Sequence, residues 1–175
     1  MSDIPWVLAI GDSATPTDMA RVLEDADFHF EEKVGLLTDL GQECGLDWAI
    51  TGLEHCRRVR GLMPWAPFED GDAEVRDAVI DELEDVDFVF EGDQESWTRR
   101  PKFYEGARAF AIWDLLASAD MVILFHAGRP SRFLRRMAHC AFARERAVVW
   151  GYDTLTGTHT VWSRKTMKEA AEKPE

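Results

Sequence analysis

The chain has 175 residues, 46% of them hydrophobic, and a formal net charge of −13 at pH 7, which suits one domain. Proteins that bind polymeric nucleic acid neutralise phosphates with clustered Lys and Arg, so this acidity disfavours nucleic acid and anionic membrane surfaces as partners. Three cysteines are too few for a disulfide framework. No apolar stretch approaches the ~20 residues of a membrane span, and the first residues lack the basic segment of a signal peptide. We therefore expect a cytoplasmic protein.

The charge is unevenly distributed along the chain. Residues 69–95 contain thirteen acidic residues and one basic residue, whereas residues 129–165 contain eight basic and two acidic ones. Runs of this kind usually form the solvated faces of helices. The acidic stretch could instead engage a basic protein partner.

Short apolar runs alternate with longer amphipathic segments, which predicts alternating strands and helices. Strands are predicted over residues 6–10, 34–38, 62–65, 86–90, 121–125 and 147–150. Helices are predicted over residues 17–27, 46–58, 72–84, 103–118 and 131–144. Residues 154–162 could add a hairpin strand, and a polar, frayed tail over 164–175 is expected to follow a single domain over 1–163. The pattern predicts an α/β, Rossmann-like parallel sheet with helices on both faces.

Ligands of open parallel sheets bind outside the carboxyl ends of the strands, and three loops there carry candidate residues. The first loop contains Gly11, Asp12 and Ser13 just before a helix. Free backbone N–H groups at such a helix start can hold a phosphate or a carboxylate. An ordinary turn, with Thr15 or Thr17 as the N-cap, is the alternative interpretation.

The second loop contains Gly41 and Gly45, four residues apart between a strand and a helix. Glycines at this spacing allow a ligand to approach the backbone closely. Asp47 follows in the first helical turn, where it complements the helix dipole or could bind a sugar hydroxyl. Trp65, at the end of the third predicted strand, could stack on a base or pack in the core.

The third loop follows the most apolar strand and contains Gly128. Ser131 is a suitable N-cap for the next helix. Arg129, Arg132 and Arg136 share one helical face near its start, because they are spaced i, i+3 and i+7. Guanidinium groups beside a helix N-terminus are suited to phosphate. The alternative is a solvated basic face that offsets the acidic stretch.

Motifs along most of the chain resemble those of a known superfamily. The second loop ends in Gly45-Leu46-Asp47, and a predicted strand then leads to Pro64-Trp65-Ala66-Pro67-Phe68. Ser118-Ala119-Asp120 precedes the apolar strand, which an aromatic residue and a glycine loop follow. Together these motifs resemble the SLOG superfamily, the Rossmann-like fold shared by DprA/Smf, Lonely Guy and YpsA-type proteins. The YpsA-type branch is the most similar, and the resemblance spans residues 7 to about 150.

The resemblance implies a pocket at the strand ends for a nucleotide or nucleotide-derived ligand, with residues 128–131 cradling a phosphate. The chain departs from the family pattern in two places. Ala111 and Ile112 stand where an Arg-Asn pair is common, although Arg108 could substitute for it. The Gly-Gly-x-Gly-Thr loop of the Lonely Guy enzymes and its accompanying glutamate are absent from the sequence. Phosphoribohydrolase activity of that type is therefore not expected.

Metal binding is not predicted, and no cofactor is implied. His55-Cys56 and His139-Cys140 could with Cys44 supply zinc ligands. Neighbouring helical residues, however, point in directions about 100° apart, and the usual C-x-x-C spacing is missing.

Catalysis is left open by the sequence. Glu105 and Asp114 flank a helix that would border the pocket, and a carboxylate nucleophile would suit chemistry like that of nucleoside deoxyribosyltransferases. His126, at the predicted mouth of the sheet, could be a base or a loop histidine without a role.

The prediction is thus a protein that binds a nucleotide or nucleotide-derived small molecule, as a sensor or a sequestering protein. One alternative is an N-glycosidic-bond hydrolase or deoxyribosyltransferase-like enzyme. Another is a protein-protein interaction module with a degenerate pocket. The sequence leaves open whether the chain forms a homo-oligomer.

Overall fold

A computed structural model of the chain describes residues 4–11, 14–39, 45–63, 81, 85–88, 115–144 and 147–172. The strands are β1 (Trp6–Gly11), β2 (Gly35–Asp39), β3 (Arg58–Met63), β4 (Asp85–Phe88), β5 (Met121–His126), β6 (Val148–Asp153) and β7 (Thr158–Val161). The helices are α1 (Pro16–Phe30), α2 (Gly45–His55), α3 (Arg132–Phe142) and α4 (Arg164–Glu172). Residues 115–118 are also helical.

The described strands form one seven-stranded sheet in the order β4-β3-β2-β1-β5-β6-β7. Strands β1 to β6 are parallel, and β7 returns antiparallel to β6. The predicted α/β fold and the hairpin strand are therefore confirmed. The chain order reverses between β1 and β5, and such a reversal opens a crevice at the carboxyl ends of the two strands.

Side chains of β1 alternate between two hydrophobic cores, one on each face of the sheet. Val7 and Ala9 pack in the core that includes residues of α1 and α2. Leu8 and Ile10 pack in the core that includes residues of α3 and α4. All four side chains are almost completely buried, as expected for a central strand covered on both faces. Helices on both faces are thus confirmed.

Helix α1 is longer than predicted but buries the predicted residues. Its apolar stripe, Met19, Val22, Leu23 and Ala26, is buried. The helix continues to Phe30 and ends where Glu31 adopts a left-handed conformation, with φ of 57°. The N–H of Glu31 donates to the carbonyl oxygen of Phe28, which closes the last turn.

The boundary between α2 and β3 differs from the prediction. Helix was expected through residue 58 and strand from residue 62, but α2 ends at His55 and β3 starts at Arg58. Strand β3 pairs with both β2 and β4. Arg58 is exposed and Val59 is buried, so this segment has the alternation of a strand. The arginines at 58 and 60 interrupt the apolar run, and a search for apolar runs therefore does not detect this strand.

The end of the chain also differs, because the predicted frayed tail is the helix α4 as far as Glu172. Met167 and Ala171, one helical turn apart, are buried. The Ser163 N–H donates to Thr166 Oγ1 over 2.7 Å, and the Thr166 N–H donates to Ser163 Oγ over 3.2 Å. The prediction of a frayed end is wrong here, because this reciprocal cap and the apolar pair anchor the helix.

Other predicted elements are covered only in part. Of the helix predicted over 72–84, only residue 81 is described, and it is helical. Residues 115–118 are the described end of the helix predicted over 103–118. Strand β4 overlaps the strand predicted over 86–90. None of the helices in the described ranges is long and apolar enough to cross a membrane.

Candidate anion-binding site

The carboxyl ends of β1 and β5 meet at the reversal in strand order. Gly11 is the register partner of Phe125. A Cβ atom on Gly11 would lie 2.7 Å from both the carbonyl oxygen and the Cβ of Phe125. Glycine is therefore needed for the two strands to pair closely, whether or not a ligand binds nearby. Asp12 and Ser13, predicted to belong to this site, lie outside the described residues.

The start of α1 is capped by its own side chains. Thr15 Oγ1 accepts a hydrogen bond from the Asp18 N–H over 3.1 Å, and Asp18 Oδ2 accepts from the Thr15 N–H over 3.2 Å. This reciprocal arrangement confirms Thr15 as the N-cap. The Tyr152 hydroxyl donates to Asp18 Oδ1 over 2.8 Å.

The Asp18 carboxylate makes the α1 start unfavourable for a phosphate. Burial raises the pKa of Asp18, but the hydrogen bonds from Tyr152 and Thr15 outweigh it and hold the pKa below its usual value. The side chain is therefore charged at neutral pH, at the helix end where a bound anion would otherwise be stabilised. A phosphate there would face a negative charge that is already in place.

The start of α2 carries an acidic residue as well. Asp47 lies exposed in the first turn of the helix, in the predicted position to complement the dipole. Gly45 is buried, and its carbonyl oxygen accepts a hydrogen bond from Thr38 Oγ1 over 3.3 Å. Gly41 and Trp65 lie outside the described residues. Gly45 and Asp47 both lie at the start of α2, where Trp48 packs against Phe125 of β5 with ring centroids 5.1 Å apart.

The loop between β5 and α3 is held by contacts within the protein. Gly128 has a φ of 73°, a left-handed conformation that favours glycine. Its N–H donates to Asp153 Oδ1 over 3.0 Å, and the Leu155 N–H donates to the same oxygen over 3.0 Å. The Arg129 N–H donates to the carbonyl oxygen of Ala127 over 3.0 Å. Two N–H groups of the predicted phosphate cradle are thus already paired.

His126 at the end of β5 helps to shape this loop. Its side chain is buried, and Nδ1 lies 2.9 Å from the carbonyl oxygen of Gly128. Because a carbonyl oxygen only accepts, we assign the proton to Nδ1. The His126 ring also lies against Trp162, with ring centroids 5.1 Å apart. These contacts give His126 a structural role, and its use as a base stays a prediction.

Helix α3 begins with cationic residues and no acidic one. Ser131 Oγ accepts a hydrogen bond from the Leu134 N–H over 3.2 Å, which confirms Ser131 as the N-cap. Arg132 is the first helical residue, Arg129 lies shortly before it, and both are exposed. Among the described helix starts that follow a parallel strand, those of α1 and α2 contain an acid in the first turn and that of α3 does not. The dipole and the side chains therefore both favour an anion at α3.

Helices α3 and α4 border a groove of about 570 Å³, which we call the α3–α4 groove. Six cationic side chains line it: Arg129, Arg132, Arg135, Arg136, Arg164 and Lys168. Met167 and Ala171 contribute apolar surface, and Glu172 is the acidic residue in the described lining. The volume is in the range of sites for small molecules.

The positive charge of the α3–α4 groove is largely uncompensated. The arginines that line it form no ion pair with another described residue. The Lys168 ammonium lies 4.0 Å from the Glu172 carboxylate in an exposed i,i+4 pair, which contributes little. The Nε of Arg135 is buried without a hydrogen-bond partner among the described residues. An anion bound here would meet five arginines that no described carboxylate neutralises.

The α3 side of the groove is predictable from local sequence, and the α4 side is not. The shared face of Arg129, Arg132 and Arg136 is predictable from their spacing. The sequence predicts a frayed tail for Arg164 and Lys168, so it does not predict the second wall of the groove. The apolar pair at 167 and 171, after a Ser-x-x-Thr cap, is the signal that could have identified α4.

The remaining candidates for catalysis and metal binding are not assembled in the described part of the chain. Glu105, Asp114 and Arg108 lie outside it. No group of three or more His, Cys, Asp or Glu side chains within it could hold a metal ion. Burial, with a smaller contribution from Asp27, raises the pKa of Cys56 to about 12. This thiol is therefore protonated and unreactive at neutral pH.

Comparison of the chain with protein-family models, with curated proteins and with solved structures finds no match. The similarity to the SLOG superfamily stays a prediction from the motifs quoted above, and the functional argument depends on the geometry of the site.

Proposed function

We propose that the protein binds a nucleotide or nucleotide-derived small molecule, as a sensor or sequestering protein, with a phosphate of the ligand held by Arg129 and Arg132. One observation carries the proposal: α3 is the helix start at the carboxyl edge, among those described, that presents cations without an acid. The first N–H groups of a helix have no acceptor within the helix. In α3, the Leu134 N–H already donates to Ser131 Oγ. The backbone N–H of Arg132 and the two guanidiniums would share the phosphate oxygens.

Arginine is well suited to this task. Its planar guanidinium can donate two parallel hydrogen bonds to a phosphate, and such charge-assisted bonds are roughly twice as strong as neutral ones. The phosphate lies against α3 in this proposal, and the nucleoside over the crevice between β1 and β5. Stacking of a base on Trp65 would complete the site and is a prediction from the sequence.

The experiment combines native mass spectrometry of the purified protein with thermal denaturation in a panel of nucleotides. Mass spectrometry should reveal a protein mass increased by a co-purified phosphorylated ligand, and this added mass should be lost when the protein is diluted. A ligand at 100 times its Kd that binds only the native state stabilises it by about 2.7 kcal/mol. In a chain of this size, that stabilisation raises Tm by roughly 5–11 °C.

Two charge-matched variants locate the effect. Arg132→Ala should abolish most of the rise in Tm. Arg57→Ala should keep it, because Arg57 is an exposed arginine between α2 and β3 that does not line the groove. The proposal is wrong if no nucleotide stabilises the wild-type protein and none is carried through purification. It is also wrong if the two variants lose the stabilisation equally.

A further inference from the structure

The cations of the α3–α4 groove extend well beyond what one phosphate needs. Arg132 and Arg136 are four residues apart, which corresponds to ~6 Å along the helix axis. Arg164 and Lys168 face the same groove from α4. A phosphate beside Arg132 would use one end of this array and leave the other arginines without a counter-charge.

We propose that the α3–α4 groove holds an oligophosphate chain of three or more phosphoryl groups. The inference rests on the proposed function, because the first phosphoryl group occupies the site at Arg129 and Arg132. The following groups lie between the arginines of α3 and the two cations of α4. The chain belongs either to a nucleoside oligophosphate or to a free inorganic oligophosphate.

The side-chain chemistry favours phosphoryl groups over the carboxylates of an acidic peptide. Five of the six cationic side chains in the groove are arginines, whose forked donors match phosphoryl oxygens. Side chains on one face of an extended peptide recur only every ~7 Å, so a peptide would need a longer groove to place several charges in it. A volume of about 570 Å³ suits a small molecule instead.

The burial of Arg135 gives a second reason to expect a multivalent anion. This side chain is partly buried, it lines the groove together with the other cations, and its Nε lacks a partner among the described residues. Like charges held close together repel, and the repulsion is larger where burial lowers the effective dielectric constant. A polyanion in the groove relieves this repulsion at several arginines at once, whereas a single phosphate relieves it at one or two.

Isothermal titration calorimetry of the full chain, at fixed ionic strength, tests the proposal with phosphate, pyrophosphate and tripolyphosphate. Affinity should rise by roughly tenfold or more from phosphate to tripolyphosphate, as each added group reaches further cations. AMP and ATP, titrated in parallel, distinguish the two sources of the chain. Tighter binding of ATP than of tripolyphosphate indicates a nucleoside oligophosphate, and the reverse indicates the inorganic form.

Two lysines of α4 provide a matched pair of variants. Both Lys165 and Lys168 are exposed, but only Lys168 lines the groove. Lys168→Gln should lower the affinity for tripolyphosphate by roughly two- to fivefold, the range for an exposed ion pair, and leave that for phosphate unchanged. Lys165→Gln should change neither affinity. Arg164→Gln combined with Lys168→Gln should remove most of the gain from phosphate to tripolyphosphate.

The outcomes separate this inference from the proposed function. If phosphate and AMP bind but tripolyphosphate binds no more tightly, the inference is overturned and the proposed function stands. If the gain survives unchanged in the Arg164→Gln, Lys168→Gln protein, the inference is also overturned. If neither phosphate nor AMP binds, the proposed function itself fails. Tighter binding of hexaglutamate than of tripolyphosphate would assign the groove to an acidic peptide instead.

Discussion

Substitution of Gly151 by alanine perturbs the packing of strand β6 against Trp162, which lies just before α4. A Cβ atom at this position would lie 1.9 Å from Cε2 of Trp162 and 2.3 Å from Cζ2 and Nε1 of the same ring. Trp162 is 5% exposed, and α4 begins two residues later. The alanine methyl group and the indole cannot both keep their places, so the ring or strand β6 must move.

The expected cost lies between two limits. A core that accommodates an added methylene by small shifts loses about 1–3 kcal/mol. Complete displacement of the ring would return ~150–250 Å² to water, which corresponds to ~4–6 kcal/mol. Because a partial displacement of the ring lies between these limits, we expect a loss of ~2–4 kcal/mol, or a fall in Tm of roughly 4–16 °C.

Urea denaturation of four proteins measures this coupling: the wild type, Gly151→Ala, Trp162→Leu and the double variant. Leucine leaves room for the methyl group, so Gly151→Ala should cost less than ~1 kcal/mol in the Trp162→Leu background. The reasoning is refuted if Gly151→Ala leaves the urea midpoint unchanged. It is equally refuted if the substitution costs the same free energy in both backgrounds.

The remaining predictions concern the cap of α1, the titration of Asp18 and the partly buried thiol of Cys56. Thr15→Ala should lower the free energy of unfolding by ~1 kcal/mol through loss of the N-cap, whereas Thr17→Ala, two residues later in the first turn, should change it much less. Equal effects in thermal melts would contradict the assigned cap. Asp18 has a pKa below the 3.8 of an unperturbed carboxyl, so its stabilisation is present above that pH and is lost as the pH falls through the lower folded value. Asp18→Asn should therefore destabilise at pH 7 and flatten the acid limb of the stability curve, and an unaltered acid limb would exclude this role. Cys56, with a pKa raised to about 12, should react with iodoacetamide at pH 8 far more slowly in the native protein than in urea. Comparable labelling in both states, as read by peptide mass mapping, would show that the thiol is accessible and ionised.

The fold was predictable where burial on both faces leaves a continuous apolar run. Strands β1 and β5 were predicted to within one residue at each end, because Leu8 and Val122, for example, face a core as fully as their neighbours do. Strand β3 was not, because Arg58 and Arg60 interrupt its apolar pattern and its pairing with β2 and β4 depends on distant residues. Helix α4 was not predicted, because residues 164–172 are mostly charged and polar. Their composition suggests a solvated tail, although a short apolar stripe is present.

The candidate site divides in the same way. The cap at Ser131 and the face shared by Arg129 and Arg132 are local features, so the sequence alone predicts them. The hydrogen bond from Gly128 to Asp153 joins residues 25 positions apart. The position of Lys168 in the α3–α4 groove depends on how α4 packs against α3. Contacts of this kind come from tertiary structure and have no signature at short range.

Nuclear magnetic resonance can locate a bound phosphate among the three described helix starts at the carboxyl edge. A ¹H–¹⁵N titration of the full chain with AMP would follow the backbone N–H groups and the Nε–H groups of the arginines. We expect the largest shifts at the backbone of residues 131–134 and at the side chains of Arg129 and Arg132. Shifts confined to residues 15–19 of α1 or 45–47 of α2, with α3 unchanged, would contradict a phosphate site at α3.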